Sequence, residues 1–173
     1  GLGDVFGTFR VTDADNTSNT TFNATNWTGD LIAEAGNTPN TNLLSSRWTG
    51  FATNAANIDV DGASAWNVTG SSNATGTLSN AGLVQFVPLS SGFSTLTTGS
   101  YVGQSGQMAF NTYLGADGSP TTLLVLNGGT ASGTTALSVT NAGGGGELTA
   151  GDGIRLVQAV NGGSTQPGAF TLA

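Results

Sequence analysis

The sequence predicts an all-β fold in which successive coils of chain stack on one another as a solenoid, each coil forming one rung. Three observations carry this prediction. The tryptophans, Trp27, Trp48 and Trp66, recur at intervals of 21 and 18 residues, and repeats of about 20 residues are typical of solenoids. No segment has an apolar stripe of helical period over about ten residues. Short apolar runs alternate with Gly-rich turns instead, which is the pattern of strands.

The composition supports strands and excludes several partners. Charged residues are only 8% of the 173 residues, whereas an average soluble domain has roughly 25%. The net charge is −7 and Lys is absent, so no nucleic-acid partner is expected, because such a surface repels phosphate. Thr, Asn, Ser and Gly are abundant and are middling or poor helix formers. The chain opens without a signal-peptide pattern, which favours an excised piece of a larger precursor.

The tryptophan repeat predicts a column of stacked side chains. Stacked parallel strands lie about 4.8 Å apart, so equivalent residues of successive rungs lie directly above one another. Trp27, Trp48 and Trp66 are therefore predicted to form a structural rung stack on one side of the solenoid. Aligned on these residues, two further sets recur: apolar Phe22, Leu43 and Val60, and small polar Thr25, Ser46 and Ser64. Two alternatives stay open at this point: an antiparallel sandwich with unrelated tryptophans, and a tryptophan stripe that stacks on sugars.

The second half of the chain has more regular strand signals. From Leu83 onward the apolar runs are LVQFVPL, FSTLTT, QMAFNTYL, TTLLVL, TTALSV, GIRLVQAV and AFTL. Gly-rich segments separate them, which indicates strands and hairpins. The four glycines at 143–146 are interpreted as a turn, because no GK[ST] follows them as it would in a phosphate-binding loop.

The region 77–173 resembles the C-terminal passenger region of type V autotransporters of Gram-negative bacteria, of the pertactin-like or AIDA-like kind. The resemblance lies in four segments that occur in order: LSNAGLVQF, SYVGQSGQMAFNTYLGADGSP, NGGTASGTTALSVTNAGGGGELTAGDGIRLVQAVNGGS and AFTL. The WTG and SAWNVTG segments also resemble rungs that precede this region in the family. One departure is Thr122, where the family pattern often has Asp. If that Asp makes a hydrogen bond between rungs, Thr122 must replace it or the bond is missing.

The resemblance implies a right-handed parallel β-helix that is capped at its C-terminal end by β-hairpins. Residues 1–76 would be rungs of the passenger, and residues 77–173 would be the autochaperone region, comprising the last rungs and the hairpin cap and continuous with the first part. In this family that region folds first outside the cell and templates the upstream rungs during secretion across the outer membrane. A solenoid buries apolar surface only by stacking on a formed neighbour, which agrees with such a role. The folding-nucleus core is predicted from the apolar strands of the second half: Phe110, Leu124, Leu126, Ile154, Leu156, Val157 and Phe170.

The same resemblance implies partners and a location. The partners would be the chain's own upstream passenger rungs and a C-terminal translocator barrel that is not in this chain. The protein would transit the periplasm and lie on the cell surface of a Gram-negative bacterium. The alternative function is a surface adhesin or binding module, whose partner would be a host surface protein. An exposed aromatic or apolar patch away from the end of the helix would favour that alternative.

No catalytic residue, metal ligand or cofactor is predicted. Asp59 and Asp61 in DVDG, and Asp13, Asp15 and Asn16 in DADN, offer the hard oxygen ligands that calcium prefers. Neither segment has the Glu that completes an EF-hand loop, so both are interpreted as exposed turns. Two carboxylates on one strand face also suggest glycoside hydrolysis. However, no basic residue lies near them in sequence, and the chain has no His, Cys or Lys to act as base or nucleophile.

Overall fold

The computed structural model describes residues 1–13 and 15–173, and the regular elements in these ranges are strands. No helix there has the length and apolar character needed to cross a membrane. The strands are β1 (Gly3–Phe6), β2 (Phe9–Val11), β3 (Asn19–Asn23), β4 (Thr25–Thr28), β5 (Leu31–Ala33), β6 (Asn40–Leu44), β7 (Arg47–Gly50), β8 (Ala52–Thr53), β9 (Ile58–Val60), β10 (Ala65–Val68), β11 (Ser72–Asn80), β12 (Leu83–Phe86), β13 (Thr95–Thr112), β14 (Leu123–Asn127), β15 (Thr130–Asn141), β16 (Val157–Val160), β17 (Ser164–Thr165) and β18 (Phe170–Leu172).

The strands pair in parallel with strands one rung earlier or later, which is the topology of a parallel β-helix. The first face contains β2, β5 and β8, and continues with the first parts of β11 and β13, then β14 and β16. The second face contains β3, β6, β9 and the middle of the longer strands. The third face contains β1, β4, β7, β10 and β12, then the ends of β13 and β15, and β18. The prediction of an all-β parallel solenoid is confirmed, and its right-handed sense stays a prediction.

The core is a set of columns, because each inward side chain lies on its equivalent in the next rung. On the third face one column runs Val5, Trp27, Trp48, Trp66, Val84, Met108, Leu137 and Leu172. On the second face, Phe22, Leu43 and Val60 share a column that continues to Asn80. The ladder continues across residues 72–80, so the rungs before and after this segment form one structure.

Neutral polar ladders replace charges on the outside of the solenoid. The Asn40 side-chain amide donates to the Asn19 carbonyl oxygen at 2.8 Å, and the Asn57 amide donates to Asn40 at 2.8 Å. In the last rungs the Asn161 amide donates to Asn127 at 2.7 Å. Amides suit this position because each has both a donor and an acceptor, whereas like charges at the spacing of neighbouring strands repel. The low content of charged residues therefore follows from the stacking.

The β-hairpins expected at the C-terminal end are not found in the described residues. Strands β16, β17 and β18 pair in parallel with β14 and β15. The antiparallel contact that is present is an isolated bridge between Thr112 and Thr121. This detail of the prediction was wrong because a Gly-rich turn at a corner of the solenoid directs the chain onto the next face, whereas a hairpin turn reverses it. The two kinds of turn have similar composition.

Loops of increasing length leave the corner between the third and first faces. Residues 29–30 and 69–71 form short connections there, and residues 87–94, 113–122 and 142–156 form long ones. We call these three long loops the loop corner. Asp117 joins two of them, because its carboxylate accepts the backbone N–H groups of Ala150, Gly151 and Gly153 at 2.8, 3.1 and 2.5 Å. These hydrogen bonds lower the pKa of Asp117.

Candidate functional site

The three indoles form one buried stack in the third face. The ring centroids of Trp27 and Trp48 are 4.8 Å apart with planes 12° apart, and those of Trp48 and Trp66 are 4.5 Å and 3° apart. Phe22 stacks on Trp27 at 4.4 Å. At most 2% of each tryptophan is exposed. The rings therefore have no free face for a sugar, and the alternative of a sugar-binding stripe does not apply to them.

Each indole also makes a hydrogen bond to the rung on its N-terminal side. The Nε1–H groups of Trp27, Trp48 and Trp66 donate to the carbonyl oxygens of Gly7, Gly29 and Gly50, at 2.9, 2.8 and 3.0 Å. These acceptors lie at or just beyond the ends of the third-face strands. The indole therefore satisfies a buried donor and a backbone acceptor together.

The glycine in the Trp-Thr-Gly segments is a steric requirement. A Cβ atom at Gly29 would overlap the carbonyl oxygen of Gly7, and one at Gly50 would overlap the carbonyl oxygen of Gly29. A Cβ at Gly50 would also lie 2.7 Å from Trp48 Nε1. The repeat ends at Trp66, where Val68 takes the glycine position and the next inward residue of the column is Val84.

The residues predicted as the folding-nucleus core divide into two groups. Phe110, Leu124 and Leu126 are fully buried. Leu156, Val157 and Phe170 are half-buried and pack against the core, and Ile154 is half-buried outside the strands. The difference arises because β16 pairs with β14 alone and β18 with β15 alone, so each has a neighbour on one side.

A buried polar network lies beside the predicted folding-nucleus residues, and no pattern in the sequence predicts it. Tyr101 is fully buried, and its hydroxyl is 2.9 Å from the Thr135 hydroxyl and accepts the Asn80 amide at 3.2 Å. The Asn80 amide also donates to the Gln107 carbonyl at 3.0 Å. Burial raises the pKa of Tyr101, although the hydrogen bonds from Thr135 and Asn80 oppose this. The partners are 21 and 34 residues from Tyr101, so they could be paired only once the register is known.

The first acidic segment, DVDG, was interpreted as an exposed turn, but Asp59 and Val60 belong to β9 and the turn begins after them. Burial alone would raise the pKa of Asp61, but hydrogen bonds from Ser64 and from the backbone of Ser45 and Ala63 outweigh it and lower the pKa. Its carboxylate accepts the Ser45 amide from the preceding rung at 3.0 Å and the Ser64 hydroxyl at 2.6 Å. Asp59 is exposed on β9. Asp61 is therefore a structural link between rungs.

The second acidic segment, DADN, also has the geometry of a turn. Asp13 and Asp15 have positive φ angles of 65° and 66°, and the Asn16 amide donates to the Thr12 carbonyl at 3.0 Å. Ala14 of this segment lies outside the described residues. Within residues 1–13 and 15–173, no group of three or more acidic side chains is arranged to hold a metal ion.

Thr122 makes a backbone hydrogen bond at the position where the family pattern often has Asp. It is buried, and its hydroxyl accepts the backbone N–H of Asn111 at 3.0 Å. Asn111 in turn donates its side-chain amide to the Phe86 carbonyl of the preceding rung at 2.7 Å. The link to the neighbouring rung is thus made by Asn111, and Thr122 supports it.

Comparison with known proteins finds matches to the region that contains the long strands β11, β13 and β15. The family model described as Autochaperone Domain Type 1 matches residues 72–173, beginning at the first residue of β11. The "Adhesin BmaC autotransporter" of Brucella suis biovar 1 (strain 1330) is 45% identical over 83 residues. This match covers 47% of the chain but 2% of that protein, so the chain spans a small part of the length of this relative. With its parallel β-helix and this family match, the chain belongs to the type 1 autochaperone domains of autotransporters.

Proposed function

We propose that this segment nucleates and templates the folding of an autotransporter passenger during its secretion across the outer membrane. One comparison within the third-face column supports templating. Val84 lies between Trp66 and Met108 and is fully buried, whereas Val5 contacts Trp27 on one side only and is 45% exposed. An inward residue is thus covered only where rungs lie on both sides of it. Each formed rung is a template that gains apolar burial when the next one stacks on it.

The nucleus is proposed to be the pair of long strands β13 and β15. They are 18 and 12 residues long and are in register from Tyr101 to Thr112, with one irregularity between Gln104 and Gly106. This pair forms two faces of the helix at once, whereas the rungs near the N-terminus are built from strands of two to five residues. A long ladder offsets the entropic cost of the first rung better than short strands do.

We propose the partners and the location by analogy with the family. The partners are the upstream passenger rungs of the same chain and a C-terminal translocator barrel outside this chain. The location is the surface of a Gram-negative bacterium, reached through the periplasm. The proposed role is non-enzymatic, since folding itself would bias the movement of the passenger outward.

Surface display of the full-length protein tests this proposal. Leu126 is buried on β14, opposite Thr98 of β13. Replacing it by Asp would place an unpaired carboxylate against the nucleus, which costs several kcal/mol or forces its protonation. We expect the full-length passenger to stall, or to reach the surface in a protease-sensitive form. The matched control is Leu148→Asp, because Leu148 is 88% exposed in the loop corner. Normal display and protease resistance of the Leu126→Asp protein would refute the autochaperone proposal.

A second candidate function, a binding module, is favoured by the loop corner. Leu89 and Tyr113 are exposed there and flank a cavity of about 210 Å³. Loops on a rigid scaffold commonly carry binding residues, and this patch lies at a corner, to the side of the stacked strands. The double substitution Leu89→Ser and Tyr113→Ser would then lower attachment to host cells while display stays normal. Unchanged attachment at normal display would exclude this surface as the binding site.

A further inference from the structure

We infer that the Trp-x-Gly segments select the register in which one rung adds to the next. The surface that recognises the incoming segment is the N-terminal side of a formed rung, where the flat indole and its Nε1–H group are uncovered before the next rung stacks. The segment it fits is a preceding strand of this chain that carries Gly two positions after its inward residue. This inference deepens the proposed function and rests on it only for the order in which rungs are added.

Stacking and hydrogen bonding contribute different things to this recognition. Stacked rings tolerate displacement along the strand, because offset arrangements are as favourable as centred ones. A hydrogen bond at 2.8–3.0 Å requires one particular carbonyl opposite the indole nitrogen. The donor belongs to the rung on the C-terminal side in all three cases. A rung that forms first therefore presents an unpaired indole N–H to the segment that precedes it.

The glycine excludes the wrong registers. The smallest shift that keeps the same side chains inward is two residues. If β4 shifted by two residues relative to β7, Trp48 or Ala52 would replace Gly50 opposite the Gly29 carbonyl. A Cβ at the position of Gly50 overlaps that carbonyl. The correct register thus gains a buried hydrogen bond, and the shifted registers lose it and add a steric clash.

Disulfide trapping during refolding measures the register directly, because the chain has no Cys of its own. Thr28 and Thr49 are register partners on the outer side of β4 and β7, and neighbouring strands lie within the Cα separation of a disulfide. Thr28→Cys with Thr49→Cys reports the native register. Asn26→Cys with Thr49→Cys reports the register shifted by two residues. The 173-residue chain with each pair is refolded from urea under oxidising conditions, and the linked fraction is quantified by mass spectrometry.

Loss of the indole N–H is expected to raise the shifted fraction. Replacing Trp48 by benzothienylalanine keeps the ring size and removes only the donor, and Trp48→Phe is the simpler second variant. We expect the ratio of shifted to native disulfide to rise about tenfold in both, which corresponds to about 1.4 kcal/mol and is within the range for a buried hydrogen bond. The control is Phe110→Leu, which trims a buried ring that has no N–H donor.

The outcomes separate this inference from the proposed function. An unchanged ratio in the benzothienylalanine protein, or an equal rise in Phe110→Leu, would overturn register selection by the indole. The autochaperone proposal would then still stand on the display experiment. Conversely, normal display of Leu126→Asp would refute the autochaperone role and leave the measured register effect intact.

Discussion

The hydroxyl of Tyr101 offers a sharp test of the buried network, because one atom can be removed without changing the ring. Tyr101→Phe deletes the oxygen that lies 2.9 Å from the Thr135 hydroxyl and accepts the Asn80 amide. Asn80 keeps a second acceptor, the Gln107 carbonyl, at 3.0 Å. Thr135 is 3% exposed, so its hydroxyl would be left in the core without this partner.

The expected loss of stability comes from Thr135, because Asn80 keeps a second acceptor whereas Thr135 loses its partner. Leaving one buried hydroxyl unsatisfied costs about 1–3 kcal/mol, whereas replacing both partners by apolar groups of the same shape is nearly neutral. Tyr101→Phe should therefore lower the free energy of unfolding by about 2 kcal/mol. Adding Thr135→Val, which has the same shape as Thr without the hydroxyl, should restore more than half of this loss.

Urea unfolding of the two single variants and the double variant measures these terms as a double-mutant cycle. The slope of the unfolding free energy with urea should stay constant, since the surface exposed on unfolding is almost unchanged. The matched control is Tyr113→Phe, since Tyr113 is 43% exposed in the loop corner and should change stability little. If the losses of the two single variants simply add in the double variant, the hydrogen bond between Tyr101 and Thr135 does not stabilise the fold as argued.

Three further predictions concern other parts of the molecule. Gly50→Ala should destabilise the protein by at least about 2 kcal/mol in urea unfolding, since its Cβ would overlap the Gly29 carbonyl; a change below about 0.5 kcal/mol would contradict the steric argument. The pKa of Asp117 is lowered, so its hydrogen bonds from the amides of Ala150, Gly151 and Gly153 should be complete above pH 3.8, the ordinary value, and be lost as the pH falls through the lowered pKa. Hydrogen exchange of these three amides should accelerate there, and Asp117→Asn should abolish the pH dependence. Native-state hydrogen exchange should be slowest at Leu124–Leu126 and faster in β16, whose residues are half-buried or exposed; the reverse order would place the most stable unit elsewhere.

The repeat of Trp predicted one column of side chains, and the indoles lie in one column. The prediction was possible because stacking in a parallel solenoid brings equivalent residues together whatever the loop lengths between them. The function of the glycine was not evident, because it depends on where the carbonyl of the previous rung points. The sequence also contained the small polar set, in which the Thr25 and Ser46 amides donate to the hydroxyls of Ser46 and Ser64.

Other features could not be deduced from local patterns. The partial exposure of Val157 depends on how many neighbours β16 has, and an apolar strand looks the same in sequence with one neighbour or two. The bonds of Tyr101 and Asn80 depend on register across several rungs. The family resemblance suggested hairpins, and the Gly-rich turns alone did not distinguish a corner from a reversal.

At the loop corner, the number of residues in a rung changes without any change in how its strands pair. Between 29–30 and 142–156 the connection at this corner lengthens greatly, yet Trp27, Met108 and Leu137 stay in one column. The longest insertions are thus absorbed at this edge, and the column of the core beside them stays continuous. This edge is suited to carrying foreign sequence: a peptide epitope placed at 145–149, where every residue is exposed, would be displayed outside the ladder without interrupting a strand.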